Sequence, residues 1–131
     1  MRKILVFVVL ILATSAVLAA DTFATRVHRA KAVEDSPSGK AFQAVLWPKV
    51  GNYTATVMTQ CFPKGTKPDT AAFTVVADIL PDGTLSHTEV RPRTKMSTCF
   101  VNGFESAPFP KPQESFGKRG IPIEIDMTVK Q

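Results

Sequence analysis

From Ile121 to Lys130 the chain alternates strictly: Ile121, Ile123, Ile125, Met127 and Val129 are apolar, while Pro122, Glu124, Asp126, Thr128 and Lys130 fall between them. A period of two sends the two sets to opposite faces of a strand, so this stretch predicts one buried and one wet face. Pro122 cannot donate to a ladder, which points to a sheet edge. Upstream, "AFTVVADIL" is rich in β-branched and apolar residues and predicts a strand buried on much of both faces. The "PDG" at Pro81 to Gly83 is turn chemistry, since proline presets φ and glycine accepts a positive φ. "TLSHTEVRP" then returns as the hairpin partner. Leu85 and Val90 have opposite parity, which predicts a bulge or a twist between them rather than strict alternation.

Helical spacing appears in two regions. Phe42, Val45 and Leu46 predict a helix that Pro48 ends or kinks, because proline lacks the amide donor. Tyr53, Val57 and Cys61 predict a second helical piece, and "CFPKGTKPDT" after it reads as a loop. Thr94 is placed to cap a short helix with Met96, Cys99, Phe100 and Phe104 on one stripe. Pro108 closes it, "APFPKP" runs extended, and Phe109 is the apolar residue expected to seat that exit on the core. Asp21 to Lys40 is polar without sustained periodicity and reads as a mobile mature N-terminus.

Together these elements predict an α+β fold: a small antiparallel three-stranded sheet packed with helices. The heavily apolar first strand takes the centre, the hairpin partner one side and the C-terminal strand the other. The helix from Thr94 carries the chain across.

The first residues, "MRKILVFVVLILATSAVLAA", carry Arg2 and Lys3, then an apolar run, then small residues. This is the pattern of a secretory signal peptide cut after Ala19, and the run is shorter than the roughly 20 residues of a bilayer span. The expected organisation is a signal peptide over 1–19, a flexible mature N-terminus over 20–38 and one domain over 39–131. The formal charge of +5 shrinks once Arg2 and Lys3 leave, and the remaining bases are scattered among eleven acids, which does not argue for nucleic acid. Membrane contact is expected only through the signal segment before cleavage.

Export changes the reading of Cys61 and Cys99, the only two cysteines. An even count in an oxidising compartment favours a bridge over two free buried thiols. A loop of this length constrains the unfolded chain by about 4 kcal/mol on the chain-entropy model. With His28 and His87 isolated, no metal-ligand spacing is present, and no cofactor is expected.

There is no serine elbow, HExxH, phosphate loop or nucleotide fingerprint, so a non-enzymatic protein is expected. Ser86 and His87 could suggest a nucleophile and base, but adjacent strand residues point to opposite faces. Asp78 and Glu89 can face one another across the hairpin, where carboxylates are ordinarily solvated.

The order of "ILPDGTLSHTEV", "CFVNGFESAPFPKP" and "IPIEIDMTV" resembles the C-terminal domain of TonB and TolA, over about Phe73 to Val129, in a variant with cysteine on the helix. The resemblance implies a periplasmic protein-binding module of a Gram-negative envelope whose partner, an envelope protein or peptide segment, adds a strand to the sheet edge. The residues it assigns to that edge are Ile121, Ile123, Glu124, Ile125, Asp126, Met127 and Val129. Two features depart from such transducers: the apolar segment is signal-like and no long proline-rich spacer follows, so the chain is expected to lack its own energy-transducing anchor. Competing readings are a small periplasmic inhibitor or immunity-type protein, and a minor hydrolase or ligand carrier.

Overall fold

The computed structural model describes residues 21–130; the predicted signal segment lies outside the described residues. Helices α1 (Phe23–Asp35) and α2 (Pro37–Cys61) precede β1 (Phe73–Ile79), β2 (Leu85–Arg91), α3 (Lys95–Phe104) and β3 (Ile121–Met127). A single 3-10 turn, Glu114–Phe116, lies between α3 and β3. The sheet is antiparallel with order β2-β1-β3, the arrangement that the alternation and turn chemistry predict. Among the described residues no helix is long and apolar enough to cross a membrane.

The hairpin closes through the Gly83 amide bonding the Leu80 carbonyl at 2.8 Å, with Gly83 at φ 87. A side chain there would also meet the Phe109 carbonyl at 3.1 Å, so the turn doubles as a bearing for the exit segment. Of the bulge or twist expected in β2, the register shows a bulge. Val76 stands opposite Glu89 and Asp78 opposite Ser86, leaving one residue too many on β2, and His87 absorbs it at φ 52.

One face of the sheet is apolar. Phe73, Val75, Ala77 and Ile79 of β1 join Ile121, Ile123 and Ile125 of β3 in one core with Phe42, Leu46, Val50 and Val57 of α2 and Met96, Phe100 and Phe104 of α3. Aromatic rings run through it: Phe73 to Phe100 at 5.5 Å, Phe100 to Phe104 at 5.3 Å and Phe104 to Phe109 at 5.1 Å. The last contact seats the Phe-Pro exit on the core. Thr94 and Ser97 form a reciprocal capping box that starts α3.

Cys61 and Cys99 are disulfide-bonded, tying the end of α2 to α3 across 38 residues. The same contact is reinforced by the Tyr53 hydroxyl, which donates to the Gly103 carbonyl at 3.0 Å. A β-carbon on Gly103 would lie 2.6 Å from a Val57 methyl, so the glycine permits this approach of the two helices.

Two expectations are corrected. Pro48 neither ends nor interrupts α2, which runs continuously through it. Phe42, Leu46, Val50, Thr54 and Val57 form a buried stripe on both sides of the proline, while Pro48 and Ala44 are exposed, so the carbonyl left without a helical donor lies on the solvent side of the helix. The second correction concerns the N-terminal segment, expected to be mobile. Residues 23–35 are helical, capped by Thr22, and pack on β3 and β1. Phe23, Val27, Ala30 and Val33 do recur at spacings of four and three, but Arg26 and Glu34 sit within the stripe and mask it.

Candidate functional site

The face of the sheet under α1 is built from ions. By strand alternation it carries Thr74, Val76 and Asp78 of β1, Pro122, Glu124 and Asp126 of β3, and Glu89 of β2. The predicted wet face of β3 is therefore wet only in part: Asp126 is exposed, but Glu124 is only 9% accessible because α1 covers it.

Arg26 of α1 lies 3.9 Å from Asp78 and 3.5 Å from Glu89, and also donates to the His87 carbonyl on the bulge. The register sets these two carboxylates diagonally, Asp78 opposite Ser86 and Glu89 opposite Val76, and they share a guanidinium instead of being merely solvated. One turn on, Lys31 lies 3.8 Å from Glu124 and 3.4 Å from Asp126. Asp126 also accepts from the Thr74 hydroxyl at 2.5 Å, a bond that holds its carboxyl below the usual range. Burial pushes Glu124 up to about 7, with the neighbouring Asp126 carboxyl adding to the rise and Lys31 opposing it. Burial raises Glu34 as well.

Glu34 reaches the main chain. Its Oε1 accepts from the Glu124 amide at 3.1 Å. In an antiparallel ladder alternate residues direct both main-chain groups to the same neighbour, so an amide taken by Glu34 faces away from β1. The outward positions of β3 are accordingly Pro122, Glu124 and Asp126. Pro122 has no amide hydrogen, Glu124 has its hydrogen occupied, and Asp126 remains.

The residues assigned to the edge by the resemblance separate into two groups. Ile121, Ile123 and Ile125 are buried in the core, and Met127 and Val129 are half-buried against it. Their side chains serve the fold, so any docking there proceeds through the main chain and through Glu124 and Asp126. Arg26, Lys31 and Glu34 complete the site and were not singled out by sequence reasoning. The signal that could have found them is the spacing of Arg26, Ala30 and Glu34 on one helical face.

Beside this face an open groove of about 880 Å³ runs between α1 and the segment leading into β3. Arg26, Arg29, Lys118 and Arg119 line it together with Asp21, Asp78 and Glu89, and Asp21 is paired with Arg29. The mixed signs give it no preference for an anion or a cation.

At its rim, Ser86 and His87 do meet, contrary to the opposite-face expectation. The bulge turns them together, with Ser86 Oγ 2.9 Å from His87 Nδ1. Asp78 lies 3.4 Å from the same nitrogen. A relay needs the base to hold its orienting carboxylate on one ring nitrogen and the nucleophile on the other, which this geometry does not supply.

A scan against protein-family models, a search of curated proteins and a search of solved structures each found nothing that matches this chain.

Proposed function

We propose that this chain is an exported, non-enzymatic protein-binding module of the bacterial envelope, similar to the C-terminal domain of TonB and TolA. It docks an envelope protein or peptide segment by strand addition at β3, in the periplasm. The observation that carries this reading is topological: the hairpin, the crossing helix and the returning strand leave β3 as the terminal strand of an open sheet. The disulfide between α2 and α3 suits an oxidising compartment. An added strand would bond to the outward carbonyls of Pro122, Glu124 and Asp126 and to the Asp126 amide.

Crosslinking in the periplasm tests it. Asp126→Pro removes that outward amide at an exposed position, whereas any charge placed at Ile125 would enter the core. The expected result is loss of the crosslinked partner by an Asp126→Pro protein that keeps the wild-type melting temperature to within a few degrees. An undiminished crosslink would rule out docking at β3.

A further inference from the structure

Helix α1 presents to β3 the two kinds of group that a neighbouring strand would present. Glu34 supplies an acceptor to the outward amide of Glu124, in place of a strand carbonyl. Lys31 supplies a cation over the acid pair formed by Glu124 and Asp126, two residues apart on one face. The substitution is incomplete, because Glu124 Oε1 is buried without a hydrogen-bond partner and Lys31 stands 3.8 Å from it, beyond bonding distance. Little of the helix is fully buried: Ala30 is its single such residue, and Lys31 is half-exposed.

We propose that α1 is a displaceable place-holder on the outer edge of β3, and that the occupant it keeps out is an extended peptide with lysine or arginine side chains two residues apart. This rests on the strand-addition reading above and adds to it the partner's chemistry and a means of control. When α1 gives way, a carbonyl of the incoming strand replaces the Glu34 carboxylate. Its two cations, on the face that continues Glu124 and Asp126, replace the single charge of Lys31 and reach the unpartnered oxygen. An acidic segment would place like charges directly across the pair and be rejected.

The test uses the disulfide-bonded chain and two synthetic ten-residue peptides, one alternating lysine with valine and one alternating glutamate with valine. Hydrogen exchange of the Glu124 amide is measured in wild type and in Glu34→Ala, alongside binding of both peptides. The place-holder predicts exchange faster by about tenfold in Glu34→Ala, the equivalent of one charge-assisted bond, with amides of α3 unchanged. It also predicts that the lysine peptide binds Glu34→Ala several-fold more tightly than wild type, that the glutamate peptide binds neither, and that Glu124→Gln with Asp126→Asn abolishes the gain.

Equal binding of the lysine peptide to wild type and Glu34→Ala would overturn the place-holder and leave strand addition standing. Tighter binding of the glutamate peptide would overturn the basic partner. An exposed Glu124 amide with neither peptide docked would overturn the inference together with the strand-addition reading. Lys31→Ala, at a half-exposed position at the margin of α1, is the second variant should Glu34→Ala disturb the fold, and the same gain for the lysine peptide is expected from it.

Discussion

On the side of the sheet covered by α2 and α3, three phenylalanine rings, the isoleucines of β3 and the stripe of α2 exclude water, and a disulfide fastens the two helices to each other. On the side covered by α1, Ala30 and Val76 are the fully buried apolar residues, Phe23, Val27 and Val33 are partly buried, and Arg26, Lys31 and Glu34 add contacts to carboxylates and main chain. Apolar burial contributes in proportion to area and needs no exact partner. Ion pairs at a partly wet interface contribute little net free energy, because desolvation offsets attraction. The same sheet is thus bound firmly on one face and adjustably on the other, and the adjustable face borders the open edge.

Changes on the apolar side should have the largest effects. Phe100→Ala removes a fully buried ring that touches Phe73 and Phe104, and should lower the unfolding free energy by about 3–5 kcal/mol in chemical denaturation. Reducing the Cys61–Cys99 bond should cost about 2–4 kcal/mol, read as a lower melting temperature under reductant. A loss confined to α1 in either experiment would break the contrast between the faces.

The ionic side should instead respond to pH. Glu34 and Glu124 both bind protons more tightly in the folded chain than their ordinary value of 4.5. Stability therefore falls as pH rises from about 4.5 to the Glu124 value of about 7, since the folded state holds the extra protons over that window. The groups facing Glu124 are Lys31 and Glu34 from α1 and Asp126 from β3. The lowered Asp126 acts in the opposite sense, its contribution being lost only as pH drops through its own value. Glu124→Gln should flatten the decline, on the order of 2 kcal/mol between pH 5 and pH 8 in equilibrium unfolding. A wild-type profile that rises across the window would contradict the assignment. The smallest effect is expected for Lys31→Ala, within about 0.5 kcal/mol of wild type in global stability.

The contrast also marks what the amino-acid pattern could and could not reveal. The β strands, their order, the bulge and the Thr94 cap were legible because each depends on local chemistry or on a period of two: alternating isoleucines, "PDG", a parity change between Leu85 and Val90. Pro48 misled as a terminator because the rule about a missing donor is local, while the buried stripe from Phe42 to Val57 that carries the helix past it is tertiary. The first helix was illegible for a related reason. Its apolar stripe is narrow and Arg26 and Glu34 interrupt it, and those charges find partners only once β1, β2 and β3 are assembled. Ser86 and His87 were placed on opposite faces by a regular strand, although the departure from alternation expected between Leu85 and Val90 includes them and the bulge there is what brings them together. The β3 residues assigned to the edge were read as one surface, although alternation alone already sends Ile121, Ile123 and Ile125 inward.

Native-state hydrogen exchange across α1, β1 and β3 tests the unequal faces most directly. The amides of α1 and the outward amide of Glu124 should exchange through an opening well below the global unfolding free energy, while those of β1 exchange only with global unfolding. Exchange of α1 and Glu124 at the same free energy as β1 would show one cooperative unit and contradict a detachable cover on the sheet.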